Sequence, residues 1–121
     1  LGLPPTGRQT AKATRIAVKR LQKAKKLLDA GQRDAFHEEI AFALWGYISH
    51  KFNVPMSMLS LNTAREQLES RNVNPELTDR FMATLNDCNF ARYAPEGKAL
   101  NMQQLYDLAI KTITETEQVL K

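Results

Sequence analysis

The sequence has one cysteine and one tryptophan among its 121 residues, and no long uninterrupted apolar run. A lone Cys88 excludes an intramolecular disulfide framework and any multi-cysteine zinc site, a usage that favours a reducing compartment. Crossing a bilayer takes about 20 consecutive apolar residues, so no membrane span is expected within these residues. No stretch alternates strictly between apolar and polar, which removes the usual signature of a half-buried strand. Gly7 and Gly31 stand outside any glycine-rich pattern, so there is no phosphate loop and no cofactor is implied. An initiator Met is missing too: the chain opens Leu1-Gly2-Leu3-Pro4-Pro5. Residues 1–8 are therefore read as a linker or tag remnant of a longer protein, and residues 9–121 as one helical domain.

What is present is an uneven charge layout. Residues 1–33 carry nine Lys or Arg against one Asp, whereas residues 34–121 carry eight against twelve acidic residues. The net +4 thus hides about +8 at the front and −4 behind it, the kind of sign asymmetry that places a domain beside an anionic surface. With 43% hydrophobic residues the chain can bury a single core of common domain size.

Apolar residues recur at helical spacing throughout, and the fold is predicted to be all-α: a compact bundle of about five helices, with a long basic first helix and a buried central second one. The first helix is expected over Gln9–Ala30, closed by Gly31 in the left-handed conformation. Stepping about 100° per residue gathers Lys12, Arg15, Lys19, Lys23 and Lys26 into a sector of roughly 80°, opposite Ala17, Leu21, Ala24 and Leu28. The second helix, Arg33–Phe52, shows two apolar faces. Phe36, Ile40, Ala43 and Tyr47 form one, Ala41, Trp45, Ile48 and Phe52 the other, so Trp45 and Tyr47 are expected in the core. Val54-Pro55 stops it. Met56–Leu61 is expected to be a turn that packs Met58 and Leu59 inward. A short third helix should start at Asn62 or Thr63, with Thr63-Ala-Arg-Glu66 as capping box, and end near Arg71. For the fourth, Asn74 caps, Pro75 takes the first position, and Leu77, Phe81, Leu85 and Cys88 form the stripe. A loop over Asn89–Lys98 leads to a last helix over Ala99–Leu120, with Met102, Leu105, Ala109, Ile113 and Leu120 inward. Leu21–Trp45 has the look of one tetratricopeptide hairpin, but a solitary copy is simply a helical hairpin.

Catalytic signals fail on inspection. His37-Glu38-Glu39-Ile40-Ala41 begins like a zinc-peptidase helix, yet Ala41 stands where the second His is needed, and His50 is too far along the helix to join His37 on one metal. Both histidines are read as surface or helix-flanking residues. No catalytic, metal or small-molecule site is expected.

Three strings carry a family resemblance: Ala35-Phe-His-Glu-Glu-Ile40, Ala43-Leu-Trp-Gly-Tyr-Ile-Ser-His-Lys-Phe52 with Val54-Pro55, and Leu85-Asn-Asp-Cys-Asn-Phe-Ala-Arg-Tyr-Ala-Pro95. Together with Arg20-Leu-Gln-Lys-Ala24 and Leu59-Ser60, they make Thr10–Lys121 resemble the C-terminal cytoplasmic domain of the BatD family of bacterial aerotolerance (oxygen-tolerance) proteins. Asn89 departs from a more often acidic residue in that family, and Ile48 from a usual Leu. The resemblance implies a β-rich extracytoplasmic region, one spanning helix, and this domain on the cytoplasmic face of the inner membrane. The partners it implies are other Bat-type proteins with von Willebrand factor A-type or tetratricopeptide domains, and a MoxR-type AAA+ ATPase.

The residues offer two candidate surfaces. Lys12, Arg15, Lys19, Lys23 and Lys26 form a basic stripe suited to an anionic membrane, in keeping with the positive-inside bias beside a spanning helix. Phe90, Arg92, Tyr93 and Pro95 form a second motif. It is either structural, with Phe90 and Tyr93 pinning the loop and Arg92 paired to Glu38 or Glu39, or a docking surface built on Tyr and Arg anchors. The function expected is a non-catalytic, membrane-proximal protein-interaction module. The alternative is a basic helical nucleic-acid-binding domain, which the stripe's lack of interleaved aromatics and base-reading side chains disfavours. A third reading makes Cys88, with Arg92 nearby, an oxidisable thiol sensor.

Overall fold

A computed structural model of the chain describes residues 7–93 and 101–120, with side chains for 12–90 and 101–120. Five α-helices follow one another: α1 (Gly7–Asp29), α2 (Arg33–Phe52), α3 (Leu61–Ser70), α4 (Pro75–Tyr93) and α5 (Met102–Leu120), with a 3₁₀ turn at Met56–Met58. The fold is all-helical, as the apolar spacing requires.

Each boundary has a local cause. Gly31 adopts φ +69° and closes α1 in a Schellman motif, with Gln32 N–H donating to Leu27 C=O and Gly31 N–H to Leu28 C=O. Asn53 and Asn72 do the same for α2 and α3 in the left-handed region, their following residues Val54 and Val73 donating to the Ser49 and Leu68 carbonyls. Asn tolerates that region better than other side chains do. Asn74 Oδ1 accepts from Leu77 N–H at 2.8 Å, which makes the anticipated cap at Pro75 real.

Four boundaries differ from the sequence reading. The cap of α3 is Ser60, whose Oγ accepts from Thr63 N–H at 3.1 Å, so Thr63 supplies the donor in the first turn and is not the cap. α4 continues through Asn89 to Tyr93, because nothing before Pro95 forbids the helical conformation. α1 begins at Gly7, two residues ahead of Gln9. Finally, α5 starts at Met102, where Asn101 and Gln104 form a reciprocal capping box, with Gln104 N–H to Asn101 Oδ1 at 2.8 Å and Asn101 N–H to Gln104 Oε1 at 3.0 Å.

The helix α2 is the axis of the bundle and packs against α1, α4 and α5. Phe36, Ile40, Leu44, Tyr47 and Ile48 are almost wholly buried along it, each stabilising the fold by roughly 1.5–3 kcal/mol relative to exposure. Small residues Ala13, Ala17 and Ala24 are buried on α1, which lets the two backbones of the antiparallel hairpin approach closely. Leu77, Phe81, Leu85 and Cys88 on α4, and Leu105, Ala109 and Ile113 on α5, complete the core. A buried Thr84 to Thr112 hydroxyl contact at 2.9 Å joins these last two helices.

Two packing expectations are corrected. Met58 points outward, 67% exposed, since the 3₁₀ turn directs only Leu59 toward the core. His37 is buried at 3% exposure, its ring meeting Phe36 edge-on at 5.5 Å, because it lies beside Phe36 and Ile40 where α2 is covered by its neighbours. His50 is exposed.

Candidate interaction surface

All five residues of the basic stripe are exposed on the outer side of α1. Their spacing carries the row over about 21 Å at 1.5 Å rise per residue. The stripe is held outward because Ala17, Leu21 and Ala24 bury the opposite face.

Not every charge on it is equally available. Lys23 Nζ lies 3.3 Å from Glu39 Oε1, which also accepts from Arg20 Nη1 at 3.1 Å. The Glu39 side chain is only 7% exposed, so α2 places a carboxylate beneath the middle of the stripe. Arg20 is further held with its guanidinium carbon 5.0 Å from the Phe42 ring centroid. Lys12, Arg15, Lys19 and Lys26 have no carboxylate within ion-pair distance among the described residues. Four cations therefore present themselves to solvent in one line.

Of the second predicted motif, only Phe90 has a described side chain. Phe90 is 54% exposed on the last turns of α4, and the loop it is expected to pin lies outside the described residues. Arg92 and Tyr93 have helical backbone in that same element, their side chains lying outside the described residues, as does Pro95. Among the described residues the partners of Glu39 are Arg20 and Lys23, and the pairing expected of Arg92 with Glu38 or Glu39 falls outside them. Cys88, at 2% exposure, sits in the apolar core, where a thiol behaves as a small hydrophobe.

A polar cluster that sequence reasoning missed joins α2 to α5. Lys51 Nζ, its side chain 2% exposed, lies 2.8 Å from both oxygens of the Glu117 carboxylate. Tyr47 donates its hydroxyl to Glu117 Oε2 at 2.5 Å. Burial alone would raise the Glu117 pKa, but hydrogen bonds from Lys51, Tyr47 and Thr14, together with the Lys51 charge, outweigh it and hold the carboxyl below its ordinary value. Burial pushes the Tyr47 hydroxyl far up, reinforced by the hydrogen bond and by repulsion from the Glu117 charge. With Lys51 and Tyr47 both directed at the one Glu117 carboxylate, the arrangement suits a structural tie between α2 and α5. Its one sequence signal is Lys51 standing on the apolar row Ile40, Leu44, Tyr47, since a lysine there needs a carboxylate from another element.

Beside this cluster runs an open groove between the antiparallel helices α1 and α5, about 440 Å³ in volume. Val18 and Ile110 stand exposed along it, with Leu21 and Ile113 at its floor and Tyr106 and Glu117 toward its ends. A further recess brings Lys12 beside His50, Asn53 and Pro55 at the end of α2.

Among the described residues no group of three or more His, Cys, Asp or Glu could hold a metal ion, and no helix is long and apolar enough to cross a membrane. The chain matches no protein-family model, no curated protein and no solved structure.

Proposed function

We propose that this domain is a non-catalytic interaction module that lies against an anionic membrane surface through α1. The single observation that supports it is the line of four solvent-facing cations, Lys12, Arg15, Lys19 and Lys26, without a carboxylate partner among the described residues, on a chain whose residues 34–121 carry a net −4. A lysine or arginine close to an anionic leaflet contributes about 1 kcal/mol, so four together give about 4 kcal/mol, near a thousandfold in partitioning. The attraction falls off within a Debye length of about 8 Å at physiological salt. A straight helix edge can bring all four residues inside that distance at once.

The resemblance to the BatD family carries the finer reading: attachment by a spanning helix elsewhere in the protein, a place on the cytoplasmic face of a bacterial inner membrane, and Bat-type or MoxR-type partners. In that setting the stripe would dock the domain and leave the rest of the bundle facing the cytoplasm.

Co-sedimentation with phosphatidylglycerol-containing vesicles tests this directly. Binding should be strong at low salt, weaken several-fold by physiological salt, and vanish for zwitterionic vesicles. The R15E, K19E and K26E triple variant should fall to background. Equal binding to both vesicle types, or an unaffected triple variant, would remove the membrane-facing role, and retention of duplex DNA at physiological salt would favour the nucleic-acid alternative.

A further inference from the structure

The groove between α1 and α5 has a charge asymmetry of its own. With Val18 taken as the centre of its α1 wall, Thr14, Leu21 and Gln22 lie within about 60°, while Arg15 and Lys26 follow at about 60–80° on the outward side. Nearer the centre line, at the C-terminal end of α1, Lys25 and Asp29 form an ion pair at 3.2 Å and offset each other, so the outward α1 rim is cationic through Arg15 and Lys26. On α5 the outward rim continues past Ile110 into Gln103, Thr114 and Gln118, uncharged apart from Asp107, which accepts from Gln103 at 2.9 Å. Glu117, the one carboxylate in the lining, is already neutralised by Lys51.

From this we infer that the groove receives an amphipathic α-helix of a partner protein, with its apolar face on Val18, Ile110 and Ile113 and an acidic flank along Arg15 and Lys26. Two antiparallel helices present parallel ridges with a furrow between, which a third helix fills at the usual packing distance. The α5 wall from Tyr106 to Gln118 runs about 18 Å, or roughly three turns of an occupant. A bilayer is the poorer occupant, because the apolar residues line a recess and a flat surface cannot reach its floor. A second copy is poorer too, because insertion of its α1 would set eight Lys or Arg and one Asp of residues 7–29 against the same cationic rim. The contact shares Arg15 and Lys26 with the edge of the membrane-facing stripe while its apolar residues lie farther round α1, and in the absence of lipid it stands whether or not the stripe binds a membrane.

The test is methyl NMR on the lipid-free chain titrated with a designed amphipathic peptide of about four turns, carrying Leu at i, i+3 and i+7 and Glu along one flank, beside a version with Lys for Glu. Saturable shifts should centre on Val18, Ile110 and Ile113, and the Lys version should bind at least tenfold more weakly. I110E should weaken the acidic peptide at least tenfold, and R15E/K26E should do likewise, both variants keeping the parent's circular dichroism melt. No shift with millimolar acidic peptide, equal binding of the two peptides, or shifts elsewhere on the bundle would overturn the inference. So would a dimer, seen by sedimentation, that I110E abolishes, which assigns the groove to a second copy. Broadening of these same methyls by anionic vesicles without peptide would assign it to lipid instead.

Discussion

A lysine with its side chain 2% exposed is the residue that most constrains this molecule. Lys51 is tolerated in the core because Glu117 answers it with both oxygens and Tyr47 and Thr14 hold that carboxylate in place. Removing one partner leaves the other charge uncompensated, at about 3–5 kcal/mol for a fully buried pair. Glu117 keeps 22% of its side-chain exposure, so water softens the loss, and Glu117→Gln should lower unfolding stability by about 2–3 kcal/mol in urea titrations. The double variant Lys51→Met with Glu117→Gln should recover most of that, since apolar replacement of a buried pair is often near neutral; a double variant as unstable as the sum of the singles would refute the pairing. The pH dependence has a fixed sign. Because the folded-state pKa of Glu117 is lowered from 4.5, its contribution is complete above the ordinary carboxylate range and is lost as the pH falls below it toward the folded value. Urea midpoints measured from neutrality into acid should therefore drop more steeply in the parent than in Glu117→Gln.

At the scale of the helix, two glycines should respond to alanine in opposite directions. Gly31 sits at φ +69°, where a β-carbon costs about 1–2 kcal/mol, so Gly31→Ala should lower the melting temperature. Gly46 lies inside α2, and a β-carbon built there meets no heavy atom within 4 Å. Relief of backbone entropy should then raise stability by about 0.5–1 kcal/mol in Gly46→Ala. Calorimetry on both variants checks the pair, and a destabilised Gly46→Ala would mean that the space around α2 is tighter than described. Much at this scale was legible from sequence. The bounds of α2 and the Asn74-Pro75 start of α4 follow from punctuation that acts locally, through a missing N–H or a side-chain acceptor at one position. Where two hydroxyls compete, as Ser60 and Thr63 do, the sequence does not decide which one caps. Nor could a run such as Asn89–Tyr93, with no breaker before Pro95, be assigned to loop on polarity alone. Exposure was least legible where neighbours decide it: Met58 turned out, His37 turned in, and the Lys51–Glu117 contact links residues 66 apart in the chain.

Across the whole molecule, the asymmetry visible in the charge count becomes a geometric one. α1 contacts α2 and α5, so its remaining side faces solvent and carries the cations, while α3 and α4 lie on another part of the bundle. The stripe itself was legible because one helix and a period of about 3.6 residues suffice to align it. The adjoining groove was not, because it exists only where α5 returns beside α1. The Glu39 carboxylate under Lys23 was likewise hidden, and it sets an internal gradation: Lys23→Gln should weaken vesicle binding less than Lys19→Gln, each measured by co-sedimentation at low salt, since part of the Lys23 charge is already engaged.

The most direct measurement is paramagnetic broadening of backbone amides on nanodiscs that contain phosphatidylglycerol and a gadolinium-chelating lipid. Signals from residues 12–26 should broaden first and most, while those of α3 and α4 keep their intensity, and the pattern should fade as salt is raised. Broadening centred on α3 or α4, spread evenly over the bundle, or absent at low salt would contradict the placement of α1 against an anionic surface.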